Sequence, residues 1–331
     1  MSKITIKDVA REAGVSIATV SNALNGSDVV NPKTREHVLE AARRLNYIPN
    51  VNGRQLRAAQ TNNIGLFVTS MTGSYYGNMA DSIHYLCQKY GYQLQIFIVD
   101  ENKSPLPHLQ NQSIDGAIIL FDGLSDSEKQ QLIKNPVPIV FMDQETAGPN
   151  ISSVIYESYE HGRMAAEYLL GLGHRDMMHI YGMPNNYDSV QRMKGFSDAL
   201  EKAGVPLRKE NILSGRFEQA AAYRSMHRFL QEGFRLPDAV FAANDLSALG
   251  CMEALKEYNI RIPEDISIIG CDDHILSGYV TPGLTTIRTH MEELGVEAAR
   301  EVFRIIAEKE GKIIRLPGDI IVRHSCRIRQ N

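Results

Sequence analysis

Asp272, Asp273 and His274 are consecutive residues whose side chains could carry acid–base work. No nucleophile or metal ligand can be placed beside them from the sequence, and GxSxG, GxxxxGKS/T and HExxH are all missing. GLGHRD (171–176) comes nearest to a dinucleotide-binding loop. It follows a helical pattern and precedes a strand, the reverse of the required order, and it lacks the third glycine, so it reads as a helix C-cap. The 10 histidines include no pair at metal spacing. Cys87, Cys251, Cys271 and Cys326 lie far apart with no CxxC, which predicts buried reduced thiols. An enzyme, a metal centre and a bound cofactor are therefore not expected.

The stretch GVSIATVSNALNGS, residues 14–27, offers a different chemistry. It has no formal charge, yet Ser16, Thr19 and Ser21 carry hydroxyls, Asn22 and Asn25 carry amides, and Ile17 and Ala18 are aliphatic. Hydroxyls, backbone N–H groups and a helix N-terminus can hold phosphates without lysine. Asparagine pairs naturally with adenine, and aliphatic groups suit thymine methyls.

Such side chains need a scaffold, and three helices can be read around them. Thr5 is a plausible N-cap with Asp8 three residues on, Ile6, Val9, Ala10 and Ala13 share one face, and Gly14 ends the helix. Ser16 caps a second helix, Ile17 to Leu24, whose Val20 and Leu24 face the core and whose Ile17, Ala18 and Asn22 point outward. Asn31-Pro32 opens a third, burying Val38, Leu39, Ala42 and Leu45. Helix, short turn and helix describe a helix-turn-helix, although an ordinary three-helix bundle has the same spacing. Residues 1–60 hold nine Lys/Arg against five acids, a net of +4, so the other 271 residues carry −8. A basic head on an acidic body suits a polyanion partner for the head alone.

The order of residues in TIKDVAREAGVSIATVSNALNG and TREHVLEAARRLNYIPN closely resembles the headpiece of the lactose-repressor/galactose-repressor (LacI/GalR) family of bacterial regulators. The resemblance implies a DNA-binding headpiece over 1–48 and a hinge helix over 49–61. Thr5, Ser16, Ile17, Ala18, Thr19, Ser21, Asn22 and Asn25 would contact DNA. In the hinge, Leu56 would wedge into the minor groove, with Asn50, Arg54, Gln55 and Arg57 beside it. Lys33 and Arg35 would supply further charge. Gly53 replaces the family's usual alanine, at a cost of about 1 kcal/mol in a helix interior; a plain flexible linker is the other reading. Asn22 stands where arginine is common, which predicts A·T reading where relatives read G·C.

From residue 62 onward, apolar runs alternate with helical patterns: 64–68, 94–99, 116–121, 138–141, 177–181, 239–243 and 266–270. Most are too continuous for half-exposed strands, which predicts parallel sheets covered on both faces in two α/β lobes. The resemblance continues through SVIYESYEHGRMAAEYLLGLGH, AVFAANDLSALG and ISIIGCDDHILSGYVTPGLTTIR. It implies a periplasmic-binding-protein type I-like domain, with lobe 1 over about 62–157 and 289–318, and lobe 2 over about 158–288 and 319–331. By the family pattern a small-molecule effector, a sugar or sugar phosphate, would meet Thr69, Tyr75, Tyr76, Asp143, Arg192, Phe217, Asn244 and Asp272. That set suits a polyol: carboxylates and amide for hydroxyls, guanidinium as a fixed fork, aromatics for the ring's CH face. Five of them have a structural alternative: strand-end caps for Asn244 and Asp272, a salt bridge for Arg192, core packing for Phe217 and Tyr75. Glu157-Ser158 stand where the family often has aspartate, so no role is assigned there.

The expectation is a cytoplasmic, effector-controlled regulator, a repressor of a carbohydrate operon, that binds palindromic double-stranded operator DNA as a homodimer. The N-terminus is not a signal peptide, no apolar run approaches the roughly 18 residues of a membrane span, and HSCRIRQN ends the chain without a tetramerising heptad. Control by a partner protein or a nucleobase is the alternative, and an exported sugar-binding protein fits poorly with the basic head.

Overall fold

The computed structural model describes residues 4–47, 60–72, 74–100, 105–110, 113–121, 123–308 and 310–329. It divides into two units, Met1–Thr61 and Asn62–Asn331.

The first unit is built from α1 (Ile6–Glu12), α2 (Ile17–Leu24) and α3 (Pro32–Arg44). Polar side chains satisfy the free N–H groups at the helix starts. The Ser16 hydroxyl accepts from Thr19 N at 3.1 Å, and Asn31 Oδ1 accepts from Thr34 N at 2.9 Å. Val9, Ala10, Ala13, Val20, Ala23, Val30, Val38, Ala41 and Ala42 form the buried core. Leu39, expected in that core, is half-buried outside it, and Ala41 is buried instead. The reason is helical phase: 38, 41, 42 and 45 form one stripe, whereas 39 lies about 100° around the axis from 38.

The second unit contains two six-stranded sheets. In the first, β11 (Ile313–Leu316), β5 (Ile151–Tyr156), β4 (Ile139–Phe141), β3 (Gly116–Leu120), β1 (Asn63–Val68) and β2 (Gln93–Ile98) lie in that order, all parallel. In the second the order is β12 (Asp319–Ile321), β10 (Thr285–Arg288), β9 (Ser267–Asp272), β8 (Ala239–Ala242), β6 (Met177–Tyr181) and β7 (Ile212–Ser214). There β12 alone runs antiparallel to its neighbour. The apolar run at 94–99 differs from the other strands: β2 lies at the edge of the sheet, and its Ile96 and Ile98 are exposed.

Helices cover both faces of each sheet, as continuous apolar strands demand. α4 (Ser74–Lys89) and α11 (Met291–Glu308) pack on one face of the first sheet, while α5 (Leu106–Gln110) and α6 (Asp126–Ile133) cover the other. α7 (Ser158–Gly171) and α8 (Tyr187–Lys202) cover one face of the second sheet, and α9 (Gln219–Gln231) and α10 (Asp245–Glu257) the other. The chain passes between the lobes after Tyr156, after Arg288 and after Leu316. α7 and α8 meet at glycines: a Cβ at Gly162 would lie 2.0 Å from the Arg192 carbonyl oxygen, and one at Gly195 1.9 Å from that of Tyr159. Only glycine permits so close a crossing, and the crossing fixes the backbone that presents Arg192.

Candidate functional site

In the first unit α2 presents a polar and aliphatic face. Ile17 is 45% exposed, Ala18, Asn22 and Asn25 are exposed, and Val20 and Ala23 are buried. Ile17, at the start of the helix, puts an aliphatic side chain on this exposed face. Ser16 and Thr19 bond one another at 2.9 Å, and Ser21 lies 3.5 Å from the Asn25 amide, which orders these side chains. Thr5 donates from its hydroxyl to Asp8 at 2.7 Å and from its backbone at 2.9 Å, bonds that hold the Asp8 carboxyl below its usual range. Thr5 would have to leave Asp8 to donate to a phosphate. Arg35 spends its guanidinium partly on structure, donating to the Ser27 carbonyl at 2.7 Å, while Lys33 is exposed. Asn50, Arg54, Gln55, Leu56 and Arg57 lie outside the described residues.

In the second unit the nominated residues follow strand ends, where a parallel sheet gathers its loops. Thr69 comes after β1, Tyr75 and Tyr76 open α4, and Asp143 follows β4. Arg192 lies on α8, Phe217 between β7 and α9, Asn244 between β8 and α10, and Asp272 ends β9. Four of them form a connected set. Arg192 Nη1 stands 3.6 Å from Asp272 and donates to the Ala243 carbonyl at 2.5 Å, next to Asn244, whose amide donates to the Phe217 carbonyl at 3.0 Å. Asn244 Oδ1 also accepts from Ser247 N at 2.9 Å, so this side chain caps α10 as well as bracing Phe217. The Phe217 ring lies over Gly182, where a Cβ would be 2.2 Å from it.

Asp272 has φ 121 and Phe217 φ 60, backbone conformations that side chains rarely adopt and that concentrate at binding sites. Burial raises the Asp272 carboxyl above the usual carboxylate range, and nearby Asp245 and Asp188 add to this against the pull of Arg192. Burial likewise raises the Tyr75 phenol, with Tyr156, Asp188 and Asp272 adding. Tyr75 of lobe 1 thus faces the acidic residues of lobe 2. Tyr75 and Tyr76 meet edge to face at 5.3 Å.

Asp143 belongs to a different part of the cleft. It is buried and lines a cavity of about 690 Å³ whose walls include Gln144, Glu145 and Thr146 of lobe 1 and Asn185, Tyr187 and Gln191 of lobe 2. The remaining nominated residues do not line it. Tyr187 donates to Glu145 at 2.7 Å, and Arg315 pairs with the same carboxylate, so Glu145 ties the lobes together.

Sequence reasoning missed three groups here. Asp245 is fully buried and accepts from His274 N at 2.7 Å, Ser277 Oγ at 2.7 Å and Thr286 Oγ1 at 2.5 Å, which anchors the loop after Asp272. Its signal was the acid directly after the capping asparagine in AANDLS. Ser158, left without a role, is buried and donates to Asp188 at 2.7 Å. His161 is fully buried next to the crossovers: a Cβ at Gly318 would lie 2.6 Å from its Nε2, and neither ring nitrogen has a hydrogen-bond partner among the described residues. Burial, then Arg192 and His290, pushes its pKa down to about 3. The four cysteines are free, and no described cluster of His, Cys, Asp and Glu could hold a metal.

Known proteins share these features. Residues 5–50 match the model of "Bacterial regulatory proteins, lacI family", and residues 166–326 that of a "Periplasmic binding protein-like domain". The HTH-type transcriptional repressor PurR of Histophilus somni (strain 2336) is 33% identical over 98% of this chain and 99% of its own. Among solved structures, the lac repressor dimer bound to operator and the anti-inducer ONPF superposes with a TM-score of 0.79 at 26% identity, over 98% of this chain and 100% of that one. The complex of the transcriptional regulator CelR with cellobiose reaches 0.72 at 28%, again over 98% and 100%. With a helix-turn-helix unit followed by two parallel α/β lobes, and relatives matching from end to end, the chain belongs to the lacI family of bacterial regulatory proteins.

Proposed function

We propose that the chain is a cytoplasmic transcriptional repressor that binds a palindromic operator as a homodimer and responds to a small, sugar-like effector held between its lobes. The observation that carries this reading is the face of α2, where Ile17, Ala18 and Asn22 are exposed while Val20 and Ala23 lock into the core. Such a face reads base edges in the major groove, with Ser16, Thr19, Ser21 and Asn25 toward phosphates. The headpiece spans 1–48, and the hinge, 49–61, carries Leu56 as its minor-groove wedge with Asn50, Arg54, Gln55 and Arg57. The relatives support this reading: PurR is a repressor, and the lac repressor structure is a dimer on operator DNA. The CelR complex holds cellobiose, which supports a carbohydrate in the cleft. Arg192, Asp272, Asn244, Phe217, Tyr75, Tyr76 and Thr69 are the effector contacts of this reading, with Asp143 in a separate part of the cleft. Occupancy would act through the difference in the effector's affinity for two lobe arrangements, as any allosteric ligand must.

The test is a mobility-shift assay of the full chain on DNA upstream of its own gene. Salt-sensitive, specific retardation is expected, and no retardation at low salt contradicts the reading. In the same assay Leu56→Ala should weaken specific binding far more than non-specific binding; equal loss removes the wedge.

A further inference from the structure

We propose that Asp115 is a positioning residue for DNA binding, which fixes the direction in which the chain passes from the hinge into lobe 1. This rests on the reading of residues 49–61 as a hinge that orders on operator DNA.

The two residues that follow the hinge are held by side chains as well as by the sheet. β1 lies between β2 and β3, so ladder bonds secure its start: Gln93 N donates to the Asn62 carbonyl at 2.8 Å, and Asp115 N donates to the Asn63 carbonyl at 2.8 Å. Two further bonds belong to no ladder. Asn63, 6% exposed, donates from its amide to the Ser113 carbonyl at 3.1 Å. Asn62 N donates to Asp115 Oδ2 at 2.7 Å, across 53 residues of sequence.

The last of these bonds sets a direction. In an extended residue the N–H and the C=O point toward the same neighbouring strand. Asn62 instead has φ 54, a left-handed conformation that asparagine tolerates better than most residues. Its carbonyl meets β2 while its N–H turns to the opposite side, where the carboxylate of Asp115 receives it. Asp115 directly precedes β3 and is itself held through its own N–H, so Asn62 is fastened to a fixed part of lobe 1.

A hinge that orders only on DNA loses conformational entropy when it does so. Holding its far end in place and direction lowers that cost, because a tethered segment has a higher effective concentration at its binding site. The same bond makes a movement of lobe 1 carry Asn62, and with it the end of the hinge. The bond lies at the surface, where water can replace the acceptor, so its loss costs little stability. Chain direction is what it controls.

The test compares Asp115→Ala with Asp115→Asn in the full chain. Both remove one negative charge, but the asparagine oxygen still accepts from Asn62 N. The probes are a duplex that the parent chain selects from a random library and a duplex of random sequence, both followed by fluorescence anisotropy. Asp115→Ala should bind the selected duplex at least tenfold more weakly than the parent, with random-duplex affinity and urea midpoint unchanged. Asp115→Asn should bind the selected duplex as the parent does. If Asp115→Ala binds the selected duplex like the parent, or Asp115→Asn loses as much as Asp115→Ala, Asp115 does not position the hinge. Equal loss on both duplexes, or a loss that follows a lower urea midpoint, also overturns the inference, and in all these cases the DNA-binding reading stands. If the parent selects no sequence, that reading falls and the inference falls with it.

Discussion

Nη1 of Arg192 is shared between the Ala243 carbonyl, 2.5 Å away, and the Asp272 carboxylate, 3.6 Å away, inside a lobe that leaves Arg192 3% exposed. One guanidinium thereby joins the ends of β8 and β9 to α8, and its backbone is set by the glycine crossing of α7 and α8. Arg192→Met keeps most of the packing volume but takes the buried donor away from the Ala243 carbonyl. Leaving a buried acceptor unpaired costs about 1–3 kcal/mol. Urea unfolding should show that loss; a variant as stable as the parent means that the bond contributes nothing.

His161 predicts a pH dependence. Its pKa lies near 3 in the native chain against an ordinary value of 6.5, because burial and Arg192 oppose the charge. Above 6.5 both native and unfolded imidazoles are neutral and the residue adds no slope. Between 6.5 and 3 the unfolded chain binds a proton that the native chain refuses, so stability falls with falling pH, by about 1.4 kcal/mol per unit. His161→Asn should remove that part of the slope. Denaturation midpoints at pH 7.5 and 5.5 for both proteins give the comparison, and identical slopes refute it.

Asn244 has two separable jobs: it caps α10 through Ser247 N and braces the Phe217 carbonyl. Asn244→Ala should cost about 1 kcal/mol for the lost cap. Asn244→Asp keeps the cap oxygen without the amide donor, so it should recover stability but not effector affinity. Recovery of both would assign the residue to the cap alone.

Gly182 is a spacer for the Phe217 ring, with 2.2 Å between a hypothetical Cβ and the ring. Gly182→Ala should push the ring out of place and weaken effector binding at least tenfold, with a smaller change in thermal stability. An unchanged titration removes Phe217 from the site.

Much of the architecture was legible in the residues. Seven apolar runs marked strands, six of them well covered and the seventh the exposed edge strand β2, and capping residues such as Ser16 and Asn31 marked helix starts. β5, β7, β10, β11 and β12 were not read as strands, because ISSVIY, ILS, TTIR, IIRL and DII are short or interrupted by polar residues. Their pairing is decided by the sheet around them, a long-range effect. Within the site, Arg192, Asp272, Asn244 and Phe217 were nominated from resemblance and stand connected in space. The Ser158–Asp188 bond was hidden because its partners lie 30 residues apart and neither matches a familiar motif. Leu39 misled because leucine suggests a core position, whereas the narrow stripe of α3 favours small Ala41.

The central claim is that the exposed face of α2 reads DNA sequence. Selection of duplexes from a random library, followed by fluorescence anisotropy at rising salt, tests it most directly. The account predicts a palindromic site with A·T pairs opposite Asn22, bound far more tightly than random DNA. Asn22→Ala should relax the preference at that position by about 1–3 kcal/mol and leave non-specific affinity unchanged. No enriched palindrome, or enrichment of G·C there that survives Asn22→Ala, would contradict it.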